Sequence, residues 1–319
     1  MSDYFCGWYF KCQSDTGTLA VIPAVHESDG RRSCSIQLIT DEGAWNVNFP
    51  LEQFGLRERF CSKKQSGSKE RFDSKKRFCP DEPFFQWKPL QMQRKGRSVQ
   101  IGENYFGEKG IRLNLQTPEC SAVGVLRVGV LTPIRYDIMG PFRYVPFMEC
   151  RHGVWSMRHT VNGVLRINGA AYRFHDGIGY IEGDRGYSFP KEYAWTHCFF
   201  EDGSLMLSVA DIPFGLFHFT GIVGVVWWRG REYRLATYLG AGAARIRNGE
   251  IVVRQGDMVL SVRLLEKKSH PLFAPVSGAM CRTIRESASC RAAYCFEKKG
   301  NTLFDFETSR ASFEYEFRR

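Results

Sequence analysis

The sequence predicts an all-β protein of two tandem antiparallel barrels or half-barrels, with one short helix near the C-terminus. Three observations predict it. Short β-branched and apolar runs recur along the 319 residues, separated by turn dipeptides such as Asn162-Gly163, Asn168-Gly169, Asp176-Gly177, Asp202-Gly203 and Arg229-Gly230. Aromatic residues make up 14% of the chain (25 Phe, 13 Tyr, 7 Trp), a content that favours strands and ligand cavities. A segment also repeats at fixed offset: Gly17-Thr18-Leu19-Ala20-Val21 lies 186 residues before Gly203-Ser204-Leu205-Met206-Leu207.

In chain order, the patterned strands are Thr18–Val25, Cys34–Thr40, Gly110–Leu115, Gly124–Leu131, Trp155–Val161, Val164–Asn168, Ser204–Ala210, Gly221–Trp228, Glu232–Tyr238, Glu250–Arg254 and Met258–Leu265. Turn signals on both sides of Val164–Ile167 predict a tight meander there. The one helix is expected over Ala279–Ala288, where Ser277-Gly278 precedes Met280, Ile284 and a charged face. At the repeat offset, Trp8-Tyr9 falls near Trp195, Ala24 on Ala210 and Ser35-Ile36 on Gly221-Ile222. Two halves follow, residues 1–135 and 136–319. Between Arg57 and Arg97 the alternation stops; Lys63-Lys64, Lys75-Lys76-Arg77 and Arg94-Lys95 read as a basic surface excursion.

The bulk numbers exclude several classes. Net charge is +10, but much of the excess sits in that excursion, so nucleic acid is not expected as the main partner. Eleven cysteines without any Cys-x-x-Cys pair exclude zinc ribbons and thioredoxin-like chemistry. Met1–Lys11 lacks a basic start and an apolar run, which with many free thiols predicts a reducing, cytoplasmic setting. Peripheral membrane contact and the oligomeric state stay open.

The stretch from Asp137 to Asp211 concentrates ionisable and aromatic residues. Alternate residues of a strand share a face, so Leu205, Leu207 and Val209 form an apolar row that Asp211 continues. A carboxyl group there is expected at a cavity mouth, where burial suits a proton donor; the alternative is a cap before Pro213. His159 shares a face with Trp155, Met157 and Val161, and His197 with Tyr193, Trp195 and Phe199; both also suit a plain core. Glu149, Arg151 and His152 suit an acid–base or ion-pair role. Glu149-x-x-His152 would be half a metal site only on a helix, which Pro141 and Pro146 oppose, so no metal is expected. Glu182, Asp184, Arg185 and Tyr187 occupy a glycine-rich corner with the ionisable content of a site lining. Gly-x-Ser-x-Gly is absent, and the glycine spacing is wrong for a phosphate loop.

Over most of its length the chain resembles the tocopherol cyclase-like family. The resemblance is carried by Ile138-Met139-Gly140-Pro141-Phe142, Val145-Pro146-Phe147-Met148-Glu149-Cys150-Arg151-His152-Gly153, Gly179-Tyr180-Ile181-Glu182, Ser188-Phe189-Pro190, Tyr193-Ala194-Trp195 and Ser208-Val209-Ala210-Asp211-Ile212-Pro213-Phe214. Gly7-Trp8-Tyr9-Phe10-Lys11, Ala20-Val21-Ile22-Pro23, Ile101-Gly102-Glu103-Asn104 and Arg229-Gly230-Arg231-Glu232-Tyr233 also fit. The resemblance implies a tandem lipocalin-like fold, related to carotenoid hydratases, and acid-catalysed ring closure without a cofactor. An acid protonates an alkene in a dry aromatic cavity, and an internal oxygen captures the cation in ring closure, or water does in hydration, making the enzyme an isomerase or a lyase. Candidate acids are Asp211, Glu149, Glu182 and Asp184, with His152 beside them. Candidate walls and binding residues are Arg151, Trp155, His159, Tyr180, Arg185, Tyr187, Trp195 and His197. The expected chamber lies inside the C-terminal half, with a hydrophobic small molecule as partner. Two other readings remain: a non-catalytic carrier of an apolar ligand, and a glycoside-active enzyme with paired carboxylates in an open groove.

Overall fold

In the computed structural model, residues 3–58, 97–146, 148–214, 217–266 and 268–318 are described. Nearly all of the basic excursion, and Phe147 beside Glu149, lie outside them. The described chain is built almost wholly of strands. The first sheet holds β1 (Tyr4–Ser14), β2 (Gly17–Ser28), β3 (Arg31–Thr40), β4 (Ala44–Pro50), β5 (Phe54–Glu58), β6 (Arg97–Ile101), β7 (Asn104–Gly107), β8 (Gly110–Gln116), β9 (Ser121–Val128), β10 (Cys150–Ile167) and β11 (Ala170–Gly186). The second holds β12 (Tyr193–Phe200), β13 (Gly203–Phe214), β14 (Phe217–Trp228), β15 (Arg231–Ala236), β16 (Gly242–Arg247), β17 (Glu250–Gln255), β18 (Met258–Leu264), β19 (His270–Val276), β20 (Ala279–Lys298) and β21 (Asn301–Tyr315).

Each sheet is an antiparallel meander curled until its first strand pairs with its last: β1 with β11, and β12 with β21. This is the tandem lipocalin-like architecture expected. The change of sheet comes between Gly186 and Tyr193, whereas the sequence placed the boundary between the halves at 135/136. The repeat carries further than two strands. β2 and β13 begin at Gly17 and Gly203, and β1–β4 pair in the same order as β12–β15. Equivalent residues meet where the sheets touch: the rings of Tyr9 and Trp195 are edge to face at 5.3 Å, and Lys11 Nζ donates to the carbonyl of His197 at 3.4 Å.

Three apolar clusters explain why the central strands read as continuous apolar runs. In β1, Cys6, Trp8, Phe10 and Cys12 face the inside of the first sheet, while Tyr9 faces the second sheet. In β13, Leu205, Leu207 and Val209 face the inside of the second sheet, while Met206 and Ala210 face the first. Both faces are covered, so both parities must be apolar.

The helix expected over Ala279–Ala288 is instead the start of β20. Ser277 and Gly278 have φ values of 46° and 74°, the left-handed pair of a two-residue hairpin turn, so the dipeptide joins β19 to β20. Ile284, Glu286, Ala288, Cys290, Ala292, Tyr294 and Phe296 are all buried, a period of two. Asn162-Gly163 and Asp176-Gly177 also differ from expectation. They lie within the long β10 and β11, where the register slips between Val161 and Gly163. The turn between β10 and β11 is made by Asn168-Gly169, and Arg229-Gly230 likewise joins β14 to β15.

The segment between β9 and β10 crosses to the second sheet and is pinned there. Arg234 on β15 pairs with Glu232 at 2.8 Å, and its two terminal nitrogens donate to the carbonyls of Asp137 and Tyr136 at 2.9 Å each. Gly140, at φ 50°, fits because a Cβ would lie 2.5 Å from the Tyr238 ring. This crossing delivers Met139, Phe142 and Met148 to the space between the sheets. No helix among the described residues is long and apolar enough to cross a membrane.

Candidate active site between the two sheets

A cavity of about 160 Å3 lies between the sheets, walled by Trp8 and Tyr9 of β1, Tyr193 and Trp195 of β12, and Met139 and Phe142 of the crossing segment. Its size is close to that of an engineered apolar void able to hold one benzene ring. The expected chamber inside the C-terminal half is not where the open space lies. The inner face of the second sheet is filled by one packed cluster, including Tyr294, Phe296 and Phe313, with Phe200, Phe304 and Phe306 against it. The aromatics of β20 and β21 pack there in one cluster with Leu205, Leu207 and Val209 of β13, Ile251 and Val253 of β17 and Leu260 and Val262 of β18.

Two groups of ionisable side chains reach the cavity. The first comes from β10 and β11, whose alternation turns Cys150 and His152 to the same side as Glu182 and Asp184. His152 stands opposite Asp184 in the strand register, with Nδ1 2.8 Å from Asp184 Oδ1. Its Nε2 is 3.0 Å from Glu182 Oε2, an ion-pair contact off the line of a hydrogen bond. Glu182 Oε2 also accepts from the Tyr180 hydroxyl at 2.5 Å and from Trp195 Nε1 at 3.2 Å. Burial alone would lower the His152 pKa; the carboxylates of Glu182 and Asp184 outweigh it and hold the imidazole well above its ordinary value. The site therefore contains an imidazolium clamped by two acids. His152, Glu182 and Asp184 each offer an atom within 4.8 Å of the others, a donor set able to hold a metal ion. Doing so would require the imidazole to give up its proton.

The second group comes from the far end of the chain. Glu286 on β20 and Glu314 on β21 are directly opposed in register, and both are buried at the cavity. Tyr9 donates to Glu286 Oε1 at 2.5 Å, and Tyr193 donates to Glu314 Oε2. Burial pushes the Glu286 carboxyl up to about 7, against the lowering effect of the Tyr9 hydrogen bond. Burial first, and the charge of Glu286 second, push Glu314 well above the carboxylate range. Two buried acids on facing strands cannot both ionise cheaply, so the pair retains a proton near neutrality.

Of the expected site residues, His152, Glu182, Asp184 and Trp195 line the cavity, and Tyr180 supports it from behind Glu182. The others lie elsewhere. Asp211 does continue the row of Leu205, Leu207 and Val209, but that row faces the inside of the second sheet; at its end Asp211 is 38% exposed and paired with His218 at 2.7 Å. Glu149 is half-buried outside the cavity wall; burial raises its carboxyl, with Lys191 and His218 opposing. Arg151, Trp155 and Arg185 have the opposite parity to His152 and Asp184. Trp155 and Arg185 line a second space, inside the first sheet. His159 is buried, bonded through Nδ1 to the Ser156 hydroxyl at 2.9 Å, and lowered by burial to about 4. His197 is buried, stacked 3.9 Å from Tyr180 and bonded to the Ser204 hydroxyl. Both histidines are neutral core residues. Tyr187 is exposed, and its backbone N–H donates to the Glu149 carbonyl.

Sequence reasoning missed Tyr9, Tyr193, Glu286 and Glu314 as polar members of the site. A signal existed for Glu286: read with period two, it falls on the buried face between Ile284 and Ala288. For Glu314 the flanking Phe313 and Tyr315 carry no such mark.

Solved structures share this fold. CghA matches with 7% identity over 99% of this chain and 90% of its own, at a TM-score of 0.59. CghA with Sch210972 matches with 7% identity over 98% and 88%, at 0.55. Kievitone hydratase from Nectria haematococca, 7% identical over 98% and 89%, reaches 0.49, too loose a likeness to argue from. No protein-family model matches the sequence, and no curated protein matches it.

Proposed function

We propose that the chain is a cofactor-independent enzyme, tocopherol cyclase-like in chemistry. It protonates a carbon–carbon double bond of a hydrophobic small molecule between the sheets, and ring closure or water addition completes the reaction. The observation that carries this reading is the opposed Glu286–Glu314 pair, which burial keeps partly protonated at the wall of an aromatic cavity. One carboxyl group of the pair gives its proton to the alkene carbon. The faces of Trp195, Tyr9 and Trp8 stand where the resulting cation develops. A hydroxyl of the substrate or a water molecule captures the cation, and the proton released passes to the carboxylate left behind or to Glu182.

The cavity volume limits the reading in a useful way. About 160 Å3 admits one ring or a branched alkene end, so the reacting terminus is enclosed, with Met139, Phe142 and Met148 among the walls around it. Product class, isomerase or lyase, follows from whether the capturing oxygen belongs to the substrate or to water.

The test has two steps. Small molecules retained by the purified protein are identified by mass spectrometry and then incubated with fresh protein. Conversion by the native chain, lost in Glu286→Gln and Glu314→Gln while binding persists, supports the enzyme. A ligand recovered unchanged after long incubation, and bound equally by both variants, would establish a carrier instead.

A further inference from the structure

Lys11 is the one lysine buried among the described residues, at 0% exposure, and the reaction proposed above leaves it without a part. It lies on β1 two residues after Tyr9, on the face that meets the second sheet. Its ammonium group donates to the His197 carbonyl at 3.4 Å and stands 5.4 Å from the centre of the Phe199 ring. Neither contact neutralises the charge, and among the described residues no carboxylate is in ion-pair contact with it. A methionine would fill the same place without the cost of taking an ammonium ion out of water.

What this charge faces is the acid pair. Tyr9, one step back along the same face of β1, holds Glu286. His197 is opposite Ser312 in the register of β12 and β21, and Glu314, two residues on, is opposite Trp195. The groups that act on Lys11 are the thiols of Cys198 and Cys290, the carboxyl of Glu286 and the guanidinium of Arg310. Burial pushes both thiols up to about 12, so they stay neutral, and burial likewise keeps the His197 imidazole neutral. Arg310 is engaged by the Ser14 carbonyl. Glu286 is therefore the carboxyl group to which Lys11 is coupled. Burial lowers Lys11 to about 8, which leaves it charged at neutral pH.

The two acids differ in this respect. Burial raises both before anything else, and the charge of Glu182 adds to it at each. At Glu286 the charge of Lys11 opposes; at Glu314 the further charges, Glu286 and Asp184, are negative.

We propose that Lys11 is a positioning residue that makes Glu286, and not Glu314, the proton donor, an inference that rests on the alkene-protonation reading. Glu286 gives its proton to the alkene carbon, whose π electrons form the new C–H bond. The carboxylate left on Glu286 is stabilised as it forms by the Lys11 ammonium and the Tyr9 hydroxyl. Glu314, among like charges, keeps its proton. When the capturing oxygen releases its proton, Glu286 takes it back.

Lys11→Met tests this through two readouts. The first is carbon-13 NMR of labelled glutamate carboxyls, assigned with Glu286→Gln and Glu314→Gln, which needs no substrate. The Glu286 titration should move upward by about one pH unit or more, a tenfold gain in proton affinity of the size an opposite charge accounts for, and the Glu314 signal should move less. The second is turnover of the ligand retained by the purified protein. It should fall about tenfold with KM within about twofold of native, and the pH at which turnover declines should move up with the Glu286 titration. Lys11→Arg, which keeps the charge, should restore both readouts. Melting curves establish that each variant folds; should Lys11→Met fail to fold, Lys11→Gln takes its place with the same expected direction. A Glu286 titration unmoved in the folded variant, or an equal shift at Glu314, would overturn the proposal. A retained ligand left unchanged by the native chain, with the Glu286 titration still moved, overturns the alkene reading instead, so the two failures are told apart.

Discussion

Glu286 and Glu314 face each other across β20 and β21, each held by the hydroxyl of a tyrosine, Tyr9 from the first sheet and Tyr193 from the second. This ties the acid pair to both sheets. The tyrosines fix the carboxyl rotamers, while burial sets the protonation. The arrangement makes the inter-sheet contact part of the chemistry and not only a packing surface.

Removing the acid should separate turnover from binding. Glu286→Gln keeps the shape and the Tyr9 hydrogen bond but cannot donate a proton. Conversion is expected to fall by about 10²–10⁴, the usual contribution of a general acid, with ligand affinity within about threefold of native. Steady-state kinetics alongside calorimetry reads both.

The Glu286 contribution to stability should fall as pH rises. Glu286 has its folded pKa raised from 4.5 to about 7, so its protonated form is favoured in the folded state. That contribution is fully present below 4.5 and is lost as pH rises through about 7. His152 is raised as well, so its contribution holds below 6.5 and is lost at higher pH still. The buried neutral His159 and His197, both lowered, act with the opposite sign and add stability as pH rises toward 6.5. The Glu286 share is therefore read as a difference: the melting temperature of the native chain minus that of Glu286→Gln should decline between pH 5 and pH 8. A difference that rises over this window would contradict the assignment.

Tyr9→Phe removes a hydrogen bond that lowers the Glu286 pKa. The carboxyl should then titrate above about 7, moving the Glu286-dependent step to higher pH. Carbon-13 NMR of labelled glutamate carboxyls follows that titration directly.

His152→Gln leaves Glu182 and Asp184 facing each other without the cation between them. Breaking a buried ion pair in this way costs about 3–5 kcal/mol. Urea denaturation at pH 7 is expected to show that loss.

Two further substitutions bracket the site. At Gly183, between Glu182 and Asp184, a Cβ would sit 2.6 Å from the Gly7 carbonyl oxygen of β1. Gly183→Ala should therefore cost about 1–3 kcal/mol through a strand shift and disturb both cavities. Asp211→Asn, by contrast, alters a group 38% exposed, outside the cavity and paired with His218. It should change stability by less than about 1 kcal/mol and leave conversion untouched. A large loss of conversion in Asp211→Asn would return the acid role to the C-terminal strand row.

Much of this was legible in the sequence. The all-β class, the repeat at offset 186 and the face shared by Leu205, Leu207, Val209 and Asp211 follow from alternation, which the strand geometry imposes locally. His152, Glu182 and Asp184 were legible only as composition: the sequence put the two acids in a glycine-rich corner, whereas they lie on β11, with Asp184 opposite His152 of β10. The helix at Ala279–Ala288 went wrong because alanines and serines suit either period when a long strand is buried on one face among small residues.

What alternation cannot say is which of two faces is left hollow. Both faces of β1 and β13 are apolar, and only the tertiary arrangement decided that the aromatics inside the second sheet fill their space while those between the sheets do not. The same holds for Glu286 and Glu314. Their meeting with Tyr9, 277 residues away from Glu286, depends on how two curled sheets dock, a relation carried by summed surface shape and by no local pattern in the chain.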